Sequence, residues 1–356
     1  MSGYVHPVDV AVVGATGLVG RMMLRVLEER PFPVRRLLAF ASERSGGTEL
    51  TFQGKKLQVR TLTEAALSGC GAAVALFSAG ASVSRTFAPV AARAGITVID
   101  NSSAFRMDPD VPLVVPEVNP DEAFRSNGII ANPNCSTIQM VVALKRLHDR
   151  YRIRRIVVAT YQSVTGAGAR GLRQLEDEVS GKTVSGGKFP HPIAYNCLPQ
   201  VDDFMEDGFT REEHKMMDET KKIFGDDAIR VNATCVRVPV RGGHSEAVTV
   251  EFEEAFDEQE ARRLLKNTPG VVVVDEPKER RYPMAIDAEG RDEVFVGRIR
   301  RDPTVGSGLS LWIVSDNLRK GAATNAVQIA ELLLKSPSKA QKMVHEGTRS
   351  ATKEIL

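Results

Sequence analysis

The chain has 356 residues, of which 42% are hydrophobic and 26% charged, and its net charge is +2. These values are typical of a globular protein with two cores, and nothing in them indicates a nucleic-acid or membrane-binding surface. The sequence has no apolar run long enough to cross a bilayer and no signal peptide, so we expect a cytoplasmic protein. Four scattered cysteines, none in a Cys-x-x-Cys pair, predict neither a disulfide framework nor a metal site.

The first third of the chain alternates strand-like and helix-like segments. A buried strand over 8–13 leads through a glycine-rich turn into a helix over 21–29, which Pro31 ends. A second helix is predicted over 82–94. The further strands of this region are predicted over 36–41, 72–77, 96–100 and 128–131. Strands separated by helices indicate an α/β domain with a parallel, doubly wound sheet, which we place at residues 1–134.

The residues after Cys135 follow a different pattern. A helix over 136–150 precedes strands that alternate polar with apolar residues and have fewer helices between them. These strands are predicted over 153–161, 229–240, 247–252, 294–300 and 309–315. The pattern indicates an α+β domain with a mixed or antiparallel sheet over residues 135–320. Helices over 321–335 and 338–346 are expected to return to the first domain, so that residues 321–356 belong to it.

Three glycines, Gly14, Gly17 and Gly20, lie between the first strand and its helix. Such a turn lets backbone N–H groups approach a pyrophosphate at the helix N-terminus. The Gly-x-x-Gly-x-x-Gly spacing is less specific than Gly-x-Gly-x-x-Gly, and a plain strand-to-helix turn is the alternative. Its position after the first strand of a doubly wound pattern favours a Rossmann-type dinucleotide site.

The end of the second strand is predicted to contact the adenosine ribose of the dinucleotide. An acidic residue there favours NAD, whereas an arginine accommodates the 2′-phosphate of NADP. The sequence offers both, because Glu43 stands beside Arg44 between Ser42 and Ser45. The arginine and its two flanking serines favour NADP as the cofactor.

Cys135 is the candidate nucleophile. It follows a Pro-Asn turn at the predicted start of a helix, where the helix dipole and the N–H groups of the first turn lower the pKa of a thiol. The alternative for any cysteine is a buried apolar filler, and we predict that role for Cys70, Cys197 and Cys235.

A thiol nucleophile requires a proton acceptor with a pKa near neutrality, which is usually a histidine. Among the six histidines, His244 follows an Arg-Gly-Gly segment and opens a strand, so its ring is expected to be accessible from a loop. The others lie in terminal, loop or charged-helix contexts. His244 is therefore the predicted acid–base.

Several motifs together resemble those of bacterial-type aspartate-semialdehyde dehydrogenases, and the resemblance extends over nearly the whole chain. The motifs that carry it begin at Gly14 (GATGLVG), Phe77 (FSAG), Asp100 (DNSSAFR), Pro116 (PEVN), Asn132 (NPNCST), Tyr161 (YQSVTGAG), Cys235 (CVRVPVRGGHS) and Arg319 (RKGAATNAVQ). Such a set of motifs in the right order is far more specific than any one of them.

The resemblance implies a role for each predicted substrate residue. Cys135 carries the acyl group, His244 is the acid–base, and Gln162 orients the substrate or the thioester. Arg237 resembles a clamp for the substrate α-carboxylate, and Glu212 meets the substrate ammonium or orients Arg237. The residues expected to hold the phosphoryl group are Arg106, Asn134 and Lys215. Surface salt bridging is the alternative for Arg106, Glu212 and Lys215.

The resemblance also implies which residues contact the cofactor. These are Gly14, Thr16, Gly17, Leu18, Val19, Ser42, Arg44, Ser45, Ser78, Gly80, Thr165, Gly166 and Asn325. Thr165, Gly166 and Asn325 are expected to line the nicotinamide, and Thr165 stands where the family more usually has serine.

The implied reaction is the reversible, NADP-dependent conversion of L-aspartyl 4-phosphate to L-aspartate 4-semialdehyde through a cysteine thioester, a step towards lysine, threonine and methionine. A homodimer or homotetramer is implied as well, with residues 135–320 as the catalytic and dimerisation domain. One alternative is a reductase of N-acetyl-γ-glutamyl phosphate, whose substrate has no free ammonium for Glu212 to meet. Another is a catalytically silent nucleotide-binding homologue, which the intact set of catalytic residues disfavours.

Overall fold

The computed structural model describes residues 7–335, so the helix predicted over 338–346 lies outside the described residues. The chain forms two compact units. Unit 1 consists of residues 7–133 and 322–335, and unit 2 consists of Asn134–Gly321. No helix among the described residues is long and apolar enough to cross a membrane.

Strands and helices are numbered in chain order. The strands are β1 (Val8–Val13), β2 (Val34–Ala41), β3 (Glu49–Phe52), β4 (Lys55–Thr61), β5 (Val74–Phe77), β6 (Thr97–Asp100), β7 (Ile129–Ala131), β8 (Ile153–Gln162), β9 (Arg230–Arg237), β10 (His244–Phe252), β11 (Val271–Val273), β12 (Val294–Arg301) and β13 (Gly308–Ser315). The α-helices are α1 (Leu18–Glu29), α2 (Glu64–Ser68), α3 (Ala81–Arg93), α4 (Cys135–Tyr151), α5 (Ala169–Val179), α6 (Arg211–Phe224), α7 (Glu258–Lys266), α8 (Ala285–Ala288) and α9 (Thr324–Lys335).

The sheet of unit 1 has, among the described residues, the strand order β3-β4-β2-β1-β5-β6-β7. Its neighbouring strands run parallel except for the antiparallel pair β3–β4. This arrangement confirms the predicted parallel sheet. The hairpin β3–β4 was not predicted, because most of its side chains are exposed and it lacks the apolar run of a buried strand.

Helices cover both faces of this sheet, as expected for a doubly wound fold. Side chains of a strand point alternately to opposite faces. Val12 of β1 therefore joins Leu27 of α1 and Leu333 of α9 in one core cluster, whereas Val13 joins Ala88 of α3 in another. Helix α9 is thus part of the core of unit 1.

Unit 2 is built on a second sheet with the order β11-β12-β13-β10-β8-β9 in the described residues. The outer pairs, β11–β12 and β8–β9, are parallel and the inner pairs are antiparallel, so the predicted mixed sheet is confirmed. Helix α4 packs on this sheet with most of its residues buried. Helices α5 and α7 were not predicted, because each is highly charged and buries only a narrow stripe.

Candidate active site

The glycine-rich turn of unit 1 approaches neighbouring backbone too closely for any side chain. Gly14 has a φ of +84°, and a Cβ there would clash with the carbonyl of Ser78. A Cβ on Gly20 would clash with the carbonyl of Gly14 in the same way. Glycine is therefore required at both positions, which explains two of the three predicted glycines.

Helix α1 starts directly behind this turn, with Gly17 as its N-cap. No side chain caps the helix there, and its first turn carries no acidic residue. The N–H groups of Leu18 and Val19, beside Thr16, thus belong to a helix N-terminus that suits an anion. Gly80, with a φ of +89°, is the N-cap of α3, and no side chain caps that helix either. Ser78 lies two residues before it. These features fit the pyrophosphate of a dinucleotide.

The predicted ribose contact lies at the carboxyl end of β2, next to β1. A short 3-10 turn, Glu43–Ser45, follows the strand directly. Glu43, Arg44 and Ser42 are exposed, and Ser45 is half-buried. Acid and arginine are both available at this end of the sheet, so the geometry of the chain alone fits either NAD or NADP.

Two further predicted residues of unit 1 are tied to its backbone. Arg106 is buried and donates from Nε to the carbonyl of Asn132 at 2.9 Å and from Nη2 to the carbonyl of Asn101 at 3.0 Å. Asn325 donates from Nδ2 to the Asn132 side chain at 2.7 Å and to the carbonyl of Val114 at 3.0 Å. Asn132 thus links the two residues within unit 1.

Cys135 is the first residue of α4 in unit 2. The side chain of Asn134 caps this helix by accepting from the N–H groups of Ser136 at 3.0 Å and Thr137 at 3.2 Å. The Asn134 N–H is itself held by Glu219 at 2.6 Å. The thiol is half-buried. Helix start, cap and partial exposure together match the environment of a reactive cysteine.

Glu212 connects several of the predicted residues, although it is fully buried. Its Oε1 accepts from Asn134 at 2.9 Å and from Gln162 at 3.1 Å, and its Oε2 accepts from Lys215 at 3.1 Å. Burial raises the pKa of the Glu212 carboxyl, but the charge of Lys215 and the hydrogen bonds outweigh it and bring the pKa to about 2. Lys215 also pairs with Asp202 at 2.7 Å. The site therefore contains a buried, ionised carboxylate.

Arg237, at the end of β9, is buried close to this carboxylate. Its Nη1 donates to the carbonyl of Ser163 at 2.7 Å, and its guanidinium lies 5.9 Å from the ring centre of Phe189. Burial lowers the pKa of Arg237, while the negative charges of Glu212 and Cys135 oppose this effect. Arg237 therefore provides positive charge beside both groups.

His244 is the first residue of β10 and is fully buried. Burial, reinforced by the charge of Arg237, lowers the pKa of the imidazole to about 3. Its Nδ1 faces Ser163, whose backbone N–H and Oγ each lie 3.1 Å away. Its Nε2 is also buried and has no hydrogen-bond partner among the described residues. The prediction that the His244 ring is accessible from a loop was wrong, because His244 itself is the first residue of β10 to pair with β13.

Two glycines lie so close to these groups that a side chain at either position would crowd them. A Cβ on Gly166 would lie 2.7 Å from Nη1 of Arg237 and 3.2 Å from Nε2 of His244. A Cβ on Gly321 would lie 2.8 Å from the Cβ of Cys135. Thr165, beside Gly166, is hydrogen-bonded to Asn317 rather than exposed. Gly166 and Thr165 thus line the Arg237–His244 side of unit 2.

The structure adds residues that the sequence did not point to. Asn317 joins Ser163, Thr165 and the N–H of Gly243 into one buried network. The sequence did offer one signal for Asn317, because it ends a polar Ser-Asp-Asn run at the end of a buried strand. Among the predicted filler cysteines, Cys70 and Cys235 are buried, but Cys197 is exposed because it lies in a loop. That prediction for Cys197 was wrong.

Two family models match the chain. The semialdehyde dehydrogenase NAD-binding domain matches residues 9–126, and the semialdehyde dehydrogenase dimerisation domain matches residues 144–320. The aspartate-semialdehyde dehydrogenase of Aquifex aeolicus is 59% identical over 333 residues, which is 92% of this chain and 98% of that protein. Aspartate-semialdehyde dehydrogenase 2 of Vibrio cholerae is 52% identical, with the same coverage.

Solved structures give the same similarity. A Vibrio cholerae aspartate semialdehyde dehydrogenase II complexed with ASA has a TM-score of 0.90 and 50% identity, covering 94% of this chain and 100% of that one. A Candida albicans aspartate semialdehyde dehydrogenase with NADP has a TM-score of 0.73 and 25% identity, covering 92% and 98%.

Proposed function

Because the chain belongs to the aspartate-semialdehyde dehydrogenase family, we propose that it converts L-aspartyl 4-phosphate and NADPH reversibly to L-aspartate 4-semialdehyde, NADP and phosphate. The reaction proceeds through a thioester on Cys135 and serves lysine, threonine and methionine synthesis. One observation carries the proposal. A half-buried thiol at a capped helix start shares unit 2 with Arg237, Gln162, Glu212 and a buried imidazole that are tied together by charge and hydrogen bonds.

The proposed chemistry uses the thiol as a covalent carrier. Arg237 stabilises negative charge on the Cys135 sulfur, which attacks the acyl carbon and expels phosphate. The cofactor, when bound, supplies the hydride that reduces this carbon. Cys135 holds the acyl group during reduction and leaves as a thiolate when the aldehyde forms. His244 is proposed as the acid–base that removes the proton from the hydroxyl of the reduced thioester as the aldehyde leaves. Lys215, Asn134 and Arg106 are proposed to hold the phosphoryl group.

Glu212 supports an aspartyl substrate over an N-acetyl-glutamyl one. A buried carboxylate that stays ionised is a partner for an ammonium, and N-acetylation removes that ammonium. Arg237 is proposed to clamp the α-carboxylate with its planar fork. Arg237→Lys is expected to raise the KM for the semialdehyde at least tenfold with little change in the KM for NADP, because an ammonium cannot form the fork. A change confined to the KM for NADP would contradict the clamp.

The nucleophile is tested with Cys135→Ser, using the exposed Cys197→Ser as the matched control. L-aspartate semialdehyde or N-acetyl-glutamate semialdehyde is supplied with phosphate and NADP, and reduced nicotinamide is followed by absorbance. We expect turnover with the aspartate compound, loss of turnover in Cys135→Ser and normal turnover in Cys197→Ser. Turnover by Cys135→Ser would contradict the thioester, and preference for the N-acetyl substrate would favour the alternative reductase.

NADP is proposed as the cofactor because Arg44 and two serines follow β2, at the position where they would bind the 2′-phosphate of its adenosine ribose. Arg44→Ala should raise the KM for NADP at least tenfold and leave the KM for NAD nearly unchanged. Arg93→Ala, which removes an exposed arginine at the end of α3, is the matched control. Equal effects of Arg44→Ala on both cofactors would contradict the assignment.

A second copy of the chain is the proposed partner. One face of the second sheet carries partly exposed side chains, with Tyr161 and Trp312 in contact at 5.4 Å between ring centres. This face borders a cavity of about 580 Å³ lined by Trp312, Tyr282 and Met284, and the family model here is a dimerisation domain. Ala247→Arg, in the middle of the face, should convert a dimer to a monomer in light scattering. An unchanged dimer would place the interface elsewhere.

A further inference from the structure

Arg237 is in contact with the irregular connection between α5 and α6. The backbone of Arg237 pairs with that of Leu198, because each N–H donates to the carbonyl of the other residue, at 2.8 and 2.9 Å. The ring centre of Phe189 lies 5.9 Å from the guanidinium carbon of Arg237. Residues 187–198, which we call the covering segment, therefore contact both the backbone and the side chain of Arg237.

Two polar side chains of α5 hold the covering segment. Oε2 of Glu178 accepts from the N–H groups of Ile193 at 2.7 Å and Ala194 at 2.8 Å. Oε1 of Gln174 accepts from the N–H of Phe189 at 2.8 Å, and Nε2 of Gln174 donates to Oε1 of Glu178 at 2.7 Å. Three backbone donors of an irregular segment thus find their acceptors on one helix, which ties the segment to α5.

The ring of Phe189 is also fixed by packing. A Cβ on Gly171 of α5 would lie 3.0 Å from Cζ of Phe189, so the tip of the ring rests on the backbone of that helix. The ring is half-buried and packs against an apolar cluster formed by Val164, Leu175, Ile193 and Leu198. These contacts leave the ring little freedom to turn away from Arg237.

The guanidinium of Arg237 is held on two sides by the protein. Its Nη1 donates to the carbonyl of Ser163 at 2.7 Å, and the ring of Phe189 attracts it by a cation–π interaction, which acts within about 6 Å of a ring centre. The ring carries no charge and does not take up the other N–H groups. Nε and Nη2 donate to none of the described residues, and together they form one edge of the planar fork.

We infer that Phe189 is a positioning residue for substrate binding, which holds Arg237 so that its Nε–Nη2 edge faces the substrate α-carboxylate. The identity of this carboxylate rests on the proposed function, whereas the hold of the covering segment on Arg237 does not. Glu178 and Gln174 act one step further away, because they hold the segment that carries the ring. A fork that is ordered in advance costs less to order on binding, so the role affects substrate affinity and not the chemical step.

The ring is tested with Phe189→Leu, which keeps an apolar side chain in the cluster and removes the aromatic face. With L-aspartate semialdehyde, phosphate and NADP, we expect the KM for the semialdehyde to rise about threefold or more, within the roughly 2–30-fold range of a cation–π contact. The kcat and the KM for NADP should stay nearly unchanged. Tyr195→Leu, which removes a 90% exposed ring from the same segment, is the matched control and should behave as the wild type. An unchanged KM for the semialdehyde in Phe189→Leu, or a loss confined to kcat, would overturn the inference.

Glu178→Gln tests the support of the covering segment and does not require turnover. An amide accepts at only one of its two ends, so the variant loses the hydrogen bond from Gln174 or those from the segment. Hydrogen exchange in peptides from this segment should be faster by about tenfold or more, as for loss of hydrogen bonds to a charged acceptor. Glu176→Gln, which breaks a surface pair with Arg241, is the matched control.

The two measurements on Glu178→Gln together separate the inference from the proposed function. The KM for the semialdehyde should rise as in Phe189→Leu, because the ring loses its support. Unchanged exchange in the covering segment, or faster exchange with an unchanged KM, would overturn the inference. Absence of turnover in the wild type would instead contradict the proposed function, and the exchange measurement would still decide whether α5 supports the segment.

Discussion

Gly166→Ala adds one methyl group to the space in front of His244 and Arg237. The added carbon would lie 2.7 Å from Nη1 of Arg237 and 3.2 Å from both Cε1 and Nε2 of His244. The φ of Gly166 is not in the left-handed region, so alanine suits the backbone there. The substitution therefore changes the site and not the conformation of the chain.

The size of the effect follows from these distances. Ordinary contact begins near 3.4 Å, so the guanidinium of Arg237 has to retreat by about 0.7 Å. It is held in place by its 2.7 Å hydrogen bond to the carbonyl of Ser163, which this movement would weaken. A displacement on the order of 1 Å in a positioning group lowers the rate by roughly 10²-fold. We expect kcat/KM for the semialdehyde to fall by roughly 10–100-fold.

The assay is oxidation of L-aspartate semialdehyde with phosphate and NADP, with Tm measured on the same protein. Gly306→Ala is the matched control, because its φ is also not in the left-handed region and a Cβ there would meet no atom within 4 Å in the described structure. Gly306→Ala should keep the wild-type Tm within a few degrees, since Gly→Ala at a compatible position is neutral or slightly stabilising, whereas the crowding in Gly166→Ala should lower Tm by a few degrees. Wild-type kcat/KM in Gly166→Ala would refute the reasoning.

Gly321→Ala should lower kcat at least tenfold and leave the KM for NADP nearly unchanged, because its Cβ would lie 2.8 Å from that of Cys135; unchanged kcat would contradict this packing argument. The depressed pKa of Glu212, about 2, contributes stability that is present above its ordinary value of 4.5 and lost as pH falls towards 2. Glu212→Gln should therefore lower the free energy of unfolding at pH 7 by up to about 3 kcal/mol, and by less at pH 3, as thermal melts at the two pH values would check. A loss of stability that is the same at both pH values would be inconsistent with an ionised carboxylate. Burial raises the pKa of Glu246 well above 4.5, so its native carboxyl stays protonated while the unfolded one ionises, and stability falls as pH rises. Glu246→Gln should match the wild-type Tm near pH 4.5 and exceed it increasingly up to pH 8, which thermal melts at several pH values would check.

The sequence predicted local features of the site well. The strand β1, its glycine turn and α1 follow from adjacent residues, and so does the position of Cys135 at a helix start. These features depend on backbone geometry within one or two turns of chain. The boundary errors are also local, since α1 begins at Leu18 and not three residues later.

Contacts between distant residues could not be derived from the sequence pattern. Glu212 is 78 residues from Asn134 and 50 from Gln162, and only the fold brings the three together. Without the family resemblance, Glu212 would have remained a charged residue on a polar helix. Asn317 is 154 residues from Ser163, and neither residue belongs to a reactive type. The network behind His244 therefore required the structure.

The position of α9 has a consequence for the way this chain is made. Val327, Leu333 and Leu334 belong to the core of unit 1, and Glu331 is joined to Arg30 of α1 by two hydrogen bonds of 2.8 Å. A ribosome makes the about 190 residues of Asn134–Gly321 before it reaches this helix, which takes roughly 10–40 s at usual rates of translation. During that time the nascent N-terminal segment has an uncovered apolar face, which is the kind of surface that chaperones bind.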